Sequence, residues 1–211
     1  MSEDYSKLRI LLVGPYPPPF GGIASLFLSL VPGLNSLLVD DVSVLNFTKA
    51  NKTEKIDNTF IFRYSILSHL WRIILPWNWL TIIKIYLVYS RYKIGYKMLG
   101  KLIVKTIILS KIIKKQKSNV IGFYQADEAL EILAINKIWK SKIGISLQVL
   151  GEIYTEGNRE FILNQKELFN NLLNVPKILT SSSEHCAKAF ELIGLSRPVE
   201  VVYTGIDLKK F

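Results

Sequence analysis

The sequence predicts an α/β fold in which a doubly wound parallel sheet carries helices on both faces. Three observations lead there. The first apolar run is nearly continuous instead of alternating, as in a strand buried on both sides. Strand-like and helix-like segments then succeed one another along most of the chain, and Gly and Pro punctuate the first strand end. With 211 residues, 49% of them hydrophobic and 21% charged, there is material for one large domain with a buried core.

Residues 8–13 (Leu-Arg-Ile-Leu-Leu-Val) form the first strand, which ends at Gly14. Pro15, Pro17, Pro18 and Pro19 forbid a helix until Gly21 and Gly22, and residues 23–30 fit a first helix. A short strand at 42–47 precedes a polar stretch, 48–58, that reads as a surface loop. From 60 to 92 the pattern is helical but interrupted at Pro76, so two helices meeting near 75–79 are expected. Residues 97–115 make an amphipathic helix, with Lys97, Lys101, Lys105, Lys111 and Lys115 on one side and Leu99, Leu102, Ile103, Ile107 and Leu109 on the other. Strands at 120–124, 143–150, 177–180 and 199–203 alternate with helices at 127–139, 159–173 and 184–193, the last capped by Ser183. Ligands of such sheets bind beyond the carboxyl ends of the strands.

The formal charge of +10 is unevenly spread. Between Asn58 and Ala126 there is no Asp or Glu, while twelve Lys and Arg fall there, more than the whole excess of the chain. Three of the four Trp (Trp71, Trp77 and Trp79) share that window with Tyr86, Tyr89, Tyr92 and Tyr96. Basic charge beside amphipathic rings suits an anionic bilayer surface, where each Lys or Arg adds about 1 kcal/mol of attraction. Trp71, Trp77, Trp79, Arg72 and Lys84 are the expected membrane-facing residues, and His69 among them reads as interfacial packing. No standard nucleic-acid recognition motif accompanies the charge, and no nucleic-acid partner is expected. The most apolar stretch is cut by Arg72, Pro76, Asn78 and Lys84, so no spanning helix is expected. Glu3 and Asp4 precede the first apolar run, opposite to a secretory signal. One Cys and two His exclude an internal disulfide and a four-ligand zinc site built from these residues. A reducing, cytoplasmic compartment, on the inner face of the membrane, is the expected location.

The first strand-to-helix turn lacks both the G-x-G-x-x-G and the Gly-Lys-Ser/Thr patterns, so neither dinucleotide nor P-loop binding is supported. Its prolines limit loop entropy, and two glycines at a helix start let backbone N–H groups approach a phosphate. A rigid connecting turn would have the same composition.

Residues 10–19 followed by Gly21-Gly22 resemble the opening of the family 4 glycosyltransferases. Residues 201–211 (Val-Val-Tyr-Thr-Gly-Ile-Asp-Leu-Lys-Lys-Phe) are similar to the segment that closes the amino-terminal domain of that family. Stretches 118–126, 148–152 and 180–184 fall where that domain carries its later strand ends. The resemblance implies the amino-terminal, acceptor-side, Rossmann-like domain of a GT-B enzyme over residues 1–211, with a basic aromatic helical insertion at about 60–92 and no carboxyl-terminal donor-binding domain. It implies sugar transfer from a nucleotide-sugar to a hydroxyl acceptor, lipid-linked or glycan, in polysaccharide or glycolipid biosynthesis. Anomeric retention, no divalent metal and no cofactor beyond the nucleotide-sugar co-substrate are expected, with a separate donor-binding domain or subunit as partner. By the same resemblance Gly21 and Gly22 would face the donor phosphate, and Gly151 would keep the acceptor side open. Tyr16, Tyr124, Gly151, Glu152 and Ser183 are the acceptor-cleft candidates.

Two features depart from the family pattern. Where members often carry His before the Gly at a strand end, this chain has Leu150, and an isobutyl group cannot do polar catalysis. Glu152 and Glu160 share the family's Glu-x7-Glu spacing but follow the wrong strand. Asp127 and Glu152 lie near strand ends, where a carboxylate could remove an acceptor proton; each could equally be a solvated or helix-capping group. A non-catalytic glycan-, lipid- or partner-binding subunit is the alternative expectation.

Overall fold

Eight strands are hydrogen-bonded into one sheet in the computed structural model, which describes residues 8–17, 22–37, 41–124, 129–140, 142–149, 156–195 and 197–202. In chain order the elements are β1 (Arg9–Val13), α1 (Gly22–Ser36), β2 (Asp41–Phe47), β3 (Lys52–Ile56), β4 (Thr59–Tyr64), α2 (Trp79–Tyr89), α3 (Tyr96–Gln116) and β5 (Val120–Tyr124). There follow α4 (Glu131–Trp139), β6 (Gly144–Val149), α5 (Glu156–Asn164), α6 (Lys166–Leu173), β7 (Ile178–Ser181), α7 (Glu184–Ala189) and β8 (Glu200–Val201). Single 3-10 segments run over Leu67–Ile73, Pro76–Asn78 and Phe190–Ile193.

The strand order is β3-β4-β2-β1-β5-β6-β7-β8, and every pairing is parallel except that of β3 with β4. Successive side chains of a strand point to opposite faces, so the apolar run of β1 feeds two cores. Leu11 and Val13 join Leu45, Phe62, Ile121 and Phe123 under α2, α3, α4 and α6. Leu12 joins Val42, Val44 and Ile61 under Phe27 and Val31 of α1. These are the two covered faces expected of a doubly wound sheet.

The structure corrects four expectations. The stretch 48–58 is not all loop and residues 60–64 are not helical: Lys52–Ile56 and Thr59–Tyr64 form a β-hairpin, turned at Asp57 with φ of 50°. The aromatic and β-branched side chains of Thr59–Tyr64 fit a pleated surface, and β4 takes its place beside β2. The helical segment placed at about 60–92 therefore begins only after β4. Helix α1 passes through Pro32 to Ser36, because Pro32 faces solvent, where the carbonyl it leaves unpaired can be hydrated. The helix expected over 159–173 breaks at Gln165, whose φ and ψ of −120° and 36° are not helical and whose side-chain amide donates to the Lys93 carbonyl at 3.0 Å. His69 is buried instead of interfacial: its Nδ1 lies 2.8 Å from the Ser65 carbonyl and 3.0 Å from Ser68 Oγ.

Candidate functional site

At β1 the strand order reverses, with β2 on one side and β5 on the other, so the connections leaving these strands diverge and leave a crevice at the carboxyl edge. A hollow of about 190 Å³ lies there. Its walls are Val13, Gly14 and Pro15 from the end of β1, Asn46 and Phe47 from β2, Phe123 and Tyr124 from β5, and Lys105 from α3.

Gly14 has a packing requirement. A Cβ at this position would sit 2.8 Å from Cζ of Phe27, the fully buried ring that holds α1 against the sheet. The Gly14 N–H donates to the Leu45 carbonyl at 3.1 Å, which continues the β1–β2 ladder to the rim of the hollow.

The proline loop is fastened from below by two residues the sequence reading assigned no role. Arg63 and Asn46 are paired neighbours on β4 and β2. Arg63 Nη1 and Asn46 Nδ2 both donate to the Tyr16 carbonyl, at 2.9 and 3.0 Å, and Arg63 Nη2 donates to the Pro17 carbonyl. The guanidinium is buried, and its Nε donates to Glu54 Oε1 at 2.8 Å. Hydrogen bonds from Lys52 and then Arg63 hold the Glu54 carboxyl below the usual range. A planar fork with five donors can satisfy two carbonyls and a carboxylate together, which a lysine could not. Only tertiary pairing reveals this; the sequence shows Arg63 as one more cation.

Lys105 enters the hollow from α3 with its side chain 20% exposed, its Nζ 5.1 Å from the centre of the Phe47 ring and 2.9 Å from Oε1 of Glu131. Glu131 is in the first turn of α4 and only 1% exposed. The cation at the hollow is thus balanced by a buried carboxylate. Tyr124, half-buried, packs edge-on to Phe27 with centroids 4.7 Å apart. Burial pushes its phenol up to about 12, so it stays protonated at neutral pH and can both donate and accept a hydrogen bond.

Of the other cleft candidates, Tyr16 is buried with Leu12, Phe27 and Val31 and does not line this hollow; it contributes its carbonyl to the loop clamp. Ser183 caps α7, accepting from the Cys186 N–H at 3.2 Å. Gly22 opens α1. Gly21, Asp127, Leu150, Gly151 and Glu152 lie outside the described residues, and Glu160 is exposed on α5. Among the described residues no three His, Cys, Asp or Glu side chains gather as a metal-binding group.

A second surface lies on the 3-10 segments and α2. Trp71, Trp77 and Trp79 are 52%, 71% and 56% exposed, and Leu67, Ile74 and Leu80 are about three-quarters exposed. Helix α2 buries Ile85 and Tyr89 on its inner side, yet its outer side presents Leu80, Ile83, Tyr86 and Leu87. A helix apolar all round is ordinarily covered on all sides. Arg72 lies over the Trp71 ring at 5.1 Å, and Lys84 is exposed. Desolvation, and then the Arg72 charge, depress the ammonium of Lys111. Among the described residues no helix is long and apolar enough to cross a membrane.

No family model and no curated protein matches the sequence. Solved structures match its fold. An apo structure of OtsA has a TM-score of 0.57 at 13% identity, covering 96% of this chain and 50% of that one. Trehalose-6-phosphate synthase from E. coli bound with UDP-2-fluoro glucose gives 0.55 at 14%, covering 95% and 50%. A UDP-forming α,α-trehalose-phosphate synthase from Burkholderia xenovorans gives 0.57 at 10%, covering 92% and 47%. The chain spans about half the length of these structures, and at such identities the likeness is one of fold: a Rossmann-like half of a GT-B glycosyltransferase architecture.

Proposed function

We propose that this chain is the acceptor-side half of a family 4 type glycosyltransferase, acting with a donor-binding domain or subunit at the cytoplasmic face of a membrane. The carrying observation is the hollow at the β1/β5 switch point, with a protonated phenol, an amide and a charge-balanced ammonium facing a phenyl ring. Hydroxyl-rich, uncharged rings suit such walls: apolar faces lie on Phe47 and Tyr124, while hydroxyls exchange hydrogen bonds with Asn46, Tyr124 and Lys105. The buried Glu131 removes the net charge that would select a phosphorylated acceptor over a neutral one.

In this reading Gly21 and Gly22 offer backbone N–H groups to the diphosphate of a nucleotide-sugar held by the other half. Asp127 and Glu152 are the carboxylates that would take the acceptor proton. The arm Pro15–Pro17, held by Arg63 and Asn46, fixes the near wall of the cleft before substrate arrives, which lowers the ordering cost of binding. The apolar face of α2 and its tryptophans support peripheral docking beside a lipid-linked acceptor, and lipid-linked glycans are the acceptor class proposed.

The test is reconstitution. The chain, a candidate donor-binding polypeptide and a labelled nucleotide-sugar are mixed, and transfer to a lipid-linked acceptor is measured. Turnover that needs both polypeptides and drops with Tyr124→Phe or Asn46→Ala supports the proposal. Ligand binding without turnover at any ratio would favour the non-catalytic subunit, the reading to which Leu150 points.

A further inference from the structure

An open groove of about 440 Å³ runs between the end of α2, α4 and α6. We propose that it holds the headgroup of an anionic glycerophospholipid, which deepens, and rests on, the membrane-docking reading above. Its lip is Leu87, 65% exposed and continuous along α2 with the apolar face of Leu80 and Ile83. Its floor is apolar, with Leu133 buried at the base. Two cations, Arg91 and Lys137, and two amides, Asn136 and Asn171, complete it, and no carboxylate lines it.

The polar groups are partly pre-set. The Arg91 guanidinium lies 4.8 Å from the centre of the Tyr92 ring, and the Tyr92 hydroxyl accepts from Asn171 Nδ2 at 3.1 Å. Among the described residues neither Arg91 nor Lys137 is in an ion pair. Two unpaired cations at a small concavity select an anion, and a guanidinium suits phosphate geometry. The amides suit glycerol hydroxyls and ester oxygens. What assigns a lipid in place of a free phosphate is the position: the groove opens beside a helix face whose exposed side chains are Leu, Ile and Tyr, so acyl chains leaving the headgroup run along surface that water otherwise covers at a cost.

The experiment is flotation of the full chain with vesicles of phosphatidylcholine, alone or mixed with phosphatidylglycerol. The site variant is R91Q/K137Q. A control, K49Q/K114Q, removes the same charge from exposed lysines outside the groove. Wild type is expected to float with the mixed vesicles, the site variant to lose about ten-fold in apparent affinity, and the control no more than about three-fold. Lys137→Glu alone, at an exposed position, should reproduce the loss, and thermal unfolding of each variant reports its folding. Equal losses in the site and control variants would overturn the proposal in favour of diffuse charge attraction. Wild-type binding by R91Q/K137Q would overturn it while leaving membrane docking intact. Failure of wild type to float with either vesicle would remove the docking reading, and the groove's role with it.

Discussion

Lys105 and Glu131 stand far apart in the sequence and meet from two helices on the same side of the sheet. Breaking such a pair from one side leaves a charge in a place it cannot be hydrated. Lys105→Met should therefore lower unfolding free energy by about 3 kcal/mol, the lower part of the range for buried pairs because the ammonium is partly wet. The double variant K105M/E131L should recover most of that loss, since two apolar groups need no partner; chemical denaturation of the three proteins checks it. A double variant no more stable than K105M would mean that Glu131 is hydrated and the hollow carries net charge. The same residues mark how far the site was legible. Gly14 and Tyr124 stand out because a strand end before a proline loop and the end of a later parallel strand must both lie at the carboxyl edge. Lys105 is visible only as one of five lysines on a helix face. Arg63 and Asn46 are invisible, because what defines them is a cross-strand register and a carbonyl reached from a distant part of the chain.

At the scale of elements, β1, β2, β5, β6 and β7 were legible as short apolar runs bounded by turn residues and α3 by its helical period, and the hairpin β3–β4 was not. Strand β3 is Lys-Thr-Glu-Lys-Ile, an exposed edge whose charges discourage further pairing but give it the composition of a loop. Strand β4 is short and apolar and runs into a helical pattern; periodicity alone cannot separate such a run from the helix that follows. Helix ends show a related gap between composition and conformation. Helix α3 stops at Lys117, which adopts φ 52° and ψ 35°, a left-handed conformation that costs a side chain and not glycine. Lys117→Gly should stabilise the protein by about 0.5–1 kcal/mol, a rise of about 2–4 °C in Tm per kcal/mol for a chain of this size. The same change at Lys101, exposed inside that helix, should destabilise by about 1 kcal/mol. Opposite signs for one substitution on one helix would isolate the cap; a loss at both positions would show that the left-handed turn is not maintained in solution.

Across the whole molecule, charge and apolar exposure are segregated together. The acid-free window supplies the exposed tryptophans, the outer face of α2 and the lysines of α3, while β3 and α5 to α7 carry mixed charge. That arrangement makes two contributions to vesicle binding separable. Attraction between lysines and anionic lipid acts through solvent and is screened within a Debye length of about 10 Å at 0.1 M salt, whereas burial of indole and aliphatic surface is insensitive to moderate salt. Trp71→Ser, Trp77→Ser and Trp79→Ser combined remove three half- to three-quarters-exposed rings without changing net charge and without touching the buried Ile85 and Tyr89 that fix α2. Wild type should lose part of its flotation with phosphatidylglycerol vesicles as salt rises and then level off. The triple variant should bind more weakly at low salt and lose the remainder as salt rises. Were the variant to match wild type at every salt concentration, the tryptophans would be bystanders, and attachment would rest on charge and on the remaining apolar face of α2. Were both to be insensitive to salt, the lysine field would have no part in attachment, and burial of the exposed apolar face in the bilayer would carry it alone.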